Sequence, residues 1–249
     1  MILRTEGISK HFAALRAVDR VDFTLKEGQL KSIIGPNGAG KTTLFNLIAG
    51  VYTATGGKVF FKDKDITRLP LHAISRLGIS KTYQITHIFP NLTVFENVRI
   101  SAQSRKTSFN FWRTAYSLSA VNERALDILE QVELLAKRNW LASTLSHGER
   151  RYLEIGIALA TEPHVLLLDE PTAGMSCGET NMCADLIQKL NKSLNLSIVL
   201  VEHDMSVVMG ISDEIHVLNE GRTLAEGTPR EVSDNEEVQR VYLGEGRAC

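Results

Sequence analysis

Three short stretches of the chain are almost wholly apolar: LKSII at 30–34, HVLLLDE at 164–170 and LSIVLVE at 196–202. Runs of this length, bounded by turn residues, predict strands buried on both faces. Helical patterns alternate with them, from about Lys41 to Ala49, around 178–194 and near 204–211. Strand–helix alternation predicts an α/β fold whose sheet is mostly parallel and covered by helices. The first 25 residues differ. Val18, Val21, Phe23 and Leu25 keep partial period-two alternation before the Glu27–Gly28 turn, which predicts short strands. GGKVFFKDKDI predicts a hairpin with Val59 and Phe61 on one face and a turn at Lys62 to Lys64. An antiparallel region therefore accompanies the parallel one, and it ends near Gln84.

From about Leu92 to Ala142 the period changes to that of a helix, with Ala125, Ile128, Leu129, Val132 and Leu135 on one apolar face. We read this as an inserted helical subdomain. Its segment SRKTSFNFWRTAYS at 104–117 interleaves basic and aromatic residues, a composition equally suited to docking a partner or to packing its own rings inward. A second hairpin is expected across Asn219, Glu220 and Gly221. Thr228-Pro229-Arg230-Glu231 has the pattern of a capping box opening a terminal helix.

Composition narrows the setting. With 249 residues, 43% hydrophobic and 23% charged, the chain can bury a sizeable core, and a formal net charge of -1 gives no global field favouring nucleic acid. Cys177, Cys183 and Cys249 are odd in number and lack metal-ligand spacing, which fits a reducing compartment. The start does not resemble an export signal, and no apolar run reaches the ~18 residues needed to span a bilayer. Work at a membrane would need other chains to do the spanning.

The chemistry begins at GPNGAGKT, residues 35–42, between a predicted strand and a predicted helix. Glycines there let backbone amides curl around phosphate oxygens, the helix start adds partial positive charge, Lys41 meets the β and γ phosphates, and Thr42 offers a hydroxyl to Mg²⁺. VLLLDE delivers Asp169 and Glu170 at the carboxyl end of a buried strand, where open α/β sheets place ligands. Asp169 would serve the Mg²⁺ shell and Glu170 would polarise an attacking water as general base. His203, released by IVLVEHD, is placed to hydrogen-bond a γ phosphate. His11, His72, His87, His164 and His216 read as structural or exposed. By itself Gln84 is an ordinary surface glutamine.

The remaining motif, LSHGERRYLEIGIALA at 145–160, makes sense beside these. With GPNGAGKT, VLLLDE and VEHD it resembles the ABC ATPase family, and the resemblance covers essentially the whole chain. It implies a P-loop NTPase fold of ABC type: a mixed central sheet, an antiparallel β region and an inserted α-helical subdomain, with residues 1–84 and 145–249 as ATP-binding core and about 85–144 as the insert. It also implies the ligands ATP and Mg²⁺. Gly35, Pro36, Asn37, Gly38, Ala39, Gly40, Lys41, Thr42 and Thr43 would hold the phosphates, Phe12 would stack on adenine, and Gln84 would be the Q-loop glutamine touching Mg²⁺ or the attacking water. Lys41, Glu170 and His203 would be the catalytic set. Ser146 and Gly148, as an LSGGQ-like signature, would contact the γ phosphate held by a partner chain, so a dimer would sandwich two nucleotides.

Two positions depart from that family's pattern. His147 and Glu149 replace the first signature glycine and the glutamine, and Ser176 stands where aspartate usually follows DEPTAGM. They bear on the approach to the partner's phosphate and on the contact between subunits. The signature, EHDM and the tail VQRVYLGEG look like the ATPases of branched-chain amino-acid importers and their urea and amide relatives. That implies membrane permease subunits, a second ABC ATPase chain and, indirectly, a periplasmic or extracellular solute-binding protein, with this chain on the cytoplasmic face of the cell membrane. The alternatives are a lipopolysaccharide-export ATPase, which shares the tail, and a soluble ABC ATPase of the iron–sulfur assembly type.

Overall fold

The computed structural model describes residues 1–82, 88–104 and 116–243. The chain opens with β1 (Leu3–Phe12) and β2 (Leu15–Leu25), longer than the short strands expected. Their antiparallel register shifts between Thr5 and Ile8, again before Lys10 and again before His11. Each shift resets the alternation of faces, so the period-two signal survives only in part. β3 (Leu30–Ile34) is buried throughout and leads through the glycine-rich turn into α1 (Lys41–Ile48). β4 (Gly56–Phe61) and β5 (Lys64–Asp65) form the expected hairpin. Its tip narrows to Lys62 and Asp63, with φ of 47° and 61°, while Lys64 belongs to the strand. Two left-handed residues match the twist of paired strands.

α2 (Leu71–Leu77) and β6 (Ile79–Lys81) were not anticipated, being too short to establish a period. α3 (Val94–Ser104) and α4 (Tyr116–Gln131) follow, then α5 (His147–Leu159). The anticipated face of α4 is buried at Ala125, Ile128 and Leu129 and continues through Val132, with Leu135 packed at its margin. The remaining elements are β7 (Val165–Asp169), α6 (Cys177–Leu194), β8 (Ser197–Val201), α7 (Met205–Ile211), β9 (Glu214–Asn219), β10 (Arg222–Gly227), α8 (Pro229–Ser233) and α9 (Glu236–Leu243). The expected capping box opens α8: Thr228 Oγ1 accepts the Glu231 N–H, and Glu231 accepts the Thr228 N–H. The single terminal helix is instead two, because Asn235 Oδ1 accepts the Glu237 and Val238 amides and starts a new one.

One sheet has the order β2-β1-β4-β5 and is antiparallel; the other has the order β10-β9-β3-β8-β7-β6. In the second, β3 runs parallel to both β8 and β9, and β7 parallel to β8 and β6, while β10 is an antiparallel edge. Residues of β7 alternate between two apolar clusters. Leu166 and Leu168 pack with the helices α3 to α6, whereas Val165 and Leu167 pack toward α1 and the antiparallel sheet. Ile33 pairs with Val201, and Val201 pairs with Asp169. The carboxyl ends of β3, β8 and β7 are therefore level, and whatever follows them leaves the sheet side by side.

β3 also buries charge. Lys31 has no exposure; its ammonium lies 2.6 Å from Glu226 Oε1, 3.5 Å from Glu214 Oε1 and 5.0 Å from the Phe23 ring centre. His216, fully buried beside it, donates from Nδ1 to Glu226 Oε2 at 2.7 Å. Burial pushes the Glu226 carboxyl up, but hydrogen bonds from His216 and Lys31, with the charge of Lys31, outweigh it and hold that carboxyl down to about 2.

Candidate functional site

The turn after β3 is shaped by its glycines. Gly35, Gly38 and Gly40 have φ of 154°, 81° and 99°. A Cβ on Gly35 would sit 2.2 Å from the Leu218 carbonyl oxygen, and one on Gly40 would sit 2.3 Å from that of Ala17. Neither backbone can retreat, because Ala39 accepts the Gly221 N–H at 3.0 Å and Gly221 accepts the Asp19 N–H at 2.8 Å. Arg222 fastens the same junction with two bonds to Asp19 Oδ2, at 2.7 and 3.1 Å. The loop is thus clipped to the β9–β10 turn and to β2. Lys41, largely buried, donates to the carbonyls of Gly35 at 2.6 Å and Pro36 at 3.0 Å.

Level with this loop, β7 ends in Asp169 and the chain turns sharply. Glu170 is non-glycine yet has φ of 48°, a backbone state of order 1–3 kcal/mol above the ordinary one. Its N–H donates to Val201 O at 2.8 Å, which pins the turn to the end of β8. The carboxylate so presented accepts from His203 Nε2 at 2.9 Å. Asp169 is buried beside Lys81, whose ammonium is 3.9 Å away, bonded to Asn46 Oδ1 and over the Phe45 ring. Burial pushes the Asp169 carboxyl up, with Lys81 opposing and Glu170 adding to the rise, while burial pushes Lys81 down. The acid and the base are both displaced toward neutrality by the burial they share at this strand end.

Two residues escaped the reading of the sequence. Lys81 is one. Glu202 is the other: buried, it accepts the Thr172 N–H at 2.9 Å, the Thr172 hydroxyl at 2.7 Å and the His203 N–H at 3.1 Å. It ties the turn carrying Glu170 to the segment carrying His203. The available signal was a carboxylate immediately following a strand buried on both faces, which demands partners.

A cleft of about 560 Å³ collects Phe12 from β1, Leu15 to Ala17, Asn37 to Thr43, Glu170, His203 and Glu220. It brings together most of the expected residues; Gly35 and Pro36 lie behind it as acceptors of Lys41. Gln84 lies outside the described residues, as does most of the basic and aromatic segment at 104–117. Ser146 and Gly148 do not line the cleft. Ser146 caps α5, its hydroxyl accepting the Glu149 N–H at 3.3 Å while Glu149 accepts the Ser146 N–H at 3.0 Å. Lys137 pairs with Glu149; burial pushes that carboxyl up, but Lys137 and the Ser146 amide leave it lowered. His147 donates from Nε2 to Ala173 O at 2.9 Å, binding the start of α5 to the turn after Glu170. Ser176, the other departure, caps α6 with Glu179 in the same reciprocal way. The exposed amino end of α5 carries partial positive charge and can meet an anion supplied from outside.

Known proteins match this arrangement. The family profile described as ABC transporter matches residues 18–173, and one described as Branched-chain amino acid ATP-binding cassette transporter matches residues 222–248. The chain is 42% identical over 250 residues to the high-affinity branched-chain amino acid transport ATP-binding protein LivG of Salmonella typhimurium, covering 98% of each. A crystal structure of an ATP-binding cassette of an ABC transporter in its ADP conformation superposes with a TM-score of 0.87 at 32% identity, covering 98% of this chain and 99% of that one. A dimeric cassette in a post-hydrolysis state, bound to ADP and Pi, gives a TM-score of 0.78 at 27% identity, covering 92% and 99%.

Proposed function

The chain belongs to the ABC transporter family, as an ATPase subunit, and on that premise we propose that it powers uptake of branched-chain amino acids or related small amides through separate membrane subunits. The observation carrying the solute class is the similarity to LivG along 98% of the chain, joined by the separate match of residues 222–248. No helix among the described residues is long and apolar enough to cross a membrane. In this reading the chain attaches to its permease subunits at the cytoplasmic face, a binding protein delivers the solute from the other side, and nucleic acid takes no part.

The nucleotide enters the cleft with its base at Phe12 and its phosphates on the loop from Gly35 to Thr43. Lys41 exchanges the carbonyls of Gly35 and Pro36 for phosphate oxygens, a trade of neutral acceptors for charged ones. The donors fit Mg²⁺: Thr42 and Asp169 offer hard oxygens. Among the described residues no cluster of three or more His, Cys, Asp or Glu could hold a metal ion. Thr42 and Asp169 would hold Mg²⁺, which would supply positive charge to offset that of the phosphates. Glu170 accepts the proton of the attacking water, and His203, whose Nε2 donates to that carboxylate at 2.9 Å, turns this one N–H to the γ phosphate when ATP is bound. The signature completes the site from a second chain: Ser146 and Gly148 of one subunit face the nucleotide of the other, which explains their absence from their own cleft. Residues 1–84 and 145–249 form the ATP-binding core and about 85–144 the insert that, with Gln84, relays occupancy to the permease.

The test is to trap Glu170→Gln with ATP in native membranes and identify what co-purifies. Two polytopic subunits, with or without a second ATPase, support the importer, and reconstitution with leucine or urea then assigns the solute. Recovery of soluble chains alone, with ATP demonstrably trapped, overturns it.

A further inference from the structure

Two aromatic rings stand exposed together beside the cleft. Phe12 ends β1 and Tyr52 lies in the loop after α1; they are 41% and 37% exposed. The rings meet edge to face, with centroids 5.5 Å apart and planes at 82°. Lys10 completes the group: its ammonium is 5.0 Å from the Phe12 centroid and 5.9 Å from that of Tyr52. It also donates to the Thr53 carbonyl at 2.8 Å, which ties it to the loop that carries Tyr52. Phe12 lines the cleft, whereas Lys10 and Tyr52 do not.

From this arrangement we infer that Tyr52 and Lys10 are positioning residues that hold the Phe12 ring as a preset platform for the nucleotide base. The inference rests on the reading that Phe12 receives the base. Phe12 is the last paired residue of β1, opposite Leu15, and is followed at once by the turn at Ala13, φ of 52°, so strand pairing sets its backbone but leaves the plane of its exposed ring to its side-chain neighbours. The perpendicular contact with Tyr52 and the cation of Lys10 fix the plane of the ring from two directions. A ring oriented before binding loses less freedom when the base arrives. Stacking reads the face of a base and not its edge, so the platform favours any nucleoside triphosphate over a polyphosphate without a base. Lys10 and Tyr52 stay outside the cleft that Glu170 and His203 line, so they act on binding and leave the chemical step alone.

Affinities of the full chain for ATP and for inorganic tripolyphosphate, measured by calorimetry, test this. Tyr52→Ala weakens ATP about 2- to 10-fold, the range of an aromatic pair, and leaves tripolyphosphate unchanged. Tyr52→Phe, which keeps the ring edge, restores ATP affinity, and in turnover assays Tyr52→Ala raises KM without lowering kcat. Tyr52→Ala binding ATP as the parent does, or weakening both ligands equally, overturns the inference. Phe12→Ala measured alongside separates the two claims. If it weakens ATP selectively while Tyr52→Ala does not, only the positioning role fails; if it too is without effect, Phe12 is not the platform.

Discussion

Replacing Glu226 by glutamine should destabilise the chain more than any substitution at an exposed carboxylate. Lys31 is wholly buried, and its ammonium is held by Glu226 at 2.6 Å, with Glu214 farther away at 3.5 Å. Removing the nearer charge leaves a buried cation half compensated, which costs about 3–5 kcal/mol in comparable settings. The glutamine oxygen still accepts one hydrogen bond, so the lower end, about 3 kcal/mol, is expected. At about 2–4 °C per kcal/mol for a chain of this size, the melting temperature falls by about 6–12 °C. Lys31→Met in the same chain removes the stranded charge, so the double variant should recover at least about 1.5 kcal/mol of the loss.

The same substitution carries a pH signature. The Glu226 carboxyl is held at about 2, below its ordinary 4.5, so its contribution is complete above pH 4.5 and is lost as pH falls toward 2. Urea unfolding of the nucleotide-free chain, followed by circular dichroism at pH 7 and pH 3, measures both effects. The gap between parent and variant should narrow at the lower pH. A gap under 1 kcal/mol at pH 7, or one that persists at pH 3, would falsify the account of Lys31, His216 and Glu226 as one charge-compensated unit.

Four further outcomes are expected. Glu170→Gln should bind ATP and lower turnover by about 10²–10⁴, as loss of a general base does; unimpaired turnover removes Glu170 from that role. Glu202→Gln removes the charge that accepts the Thr172 and His203 amides, and should cost about 1–3 kcal/mol in stability together with a fall in kcat; a stable variant with full kcat counts against its bridging role. Gly40→Ala places a Cβ 2.3 Å from the Ala17 carbonyl, so ATP affinity read by fluorescent-nucleotide titration should collapse while the chain still folds; parental affinity refutes the rigidity assigned to the loop. Ser146→Arg should spare nucleotide binding by the isolated chain and abolish hydrolysis by the assembled transporter; loss of binding in isolation contradicts action across the interface.

Much of this architecture was legible because a few elements are extreme. β3, β7 and β8 are buried on both faces, so their sequences are continuous apolar runs, and the loop after β3 is spelled by glycines that only particular φ values require. β1 and β2 were less legible because their register shifts interrupt alternation. α2 and β6 are held in place by neighbours more than by their own pattern. Lys81 and Glu202 were invisible for a different reason. Their meaning lies in Asp169 and Asn46, and in Thr172, which lie 30 to 88 positions away. A one-dimensional pattern displays glycine, which acts where it stands, but not a side chain defined by what folding brings to it.

The clip at Gly221 gives the cleft a fixed length. Phe12 belongs to the antiparallel sheet and the glycine-rich loop to the parallel one, and the backbone bonds joining Asp19, Gly221 and Ala39 couple the two without a flexible joint. The cleft therefore works as a caliper. On the reading proposed above, its jaws are an aromatic ring and a ring of amides, and its gauge is the span from base to phosphates. On that reading, a ligand that lacks the base or the phosphates forgoes one of the jaws, which is how a fixed frame would tell a nucleotide from inorganic phosphate or a free base without moving to find out.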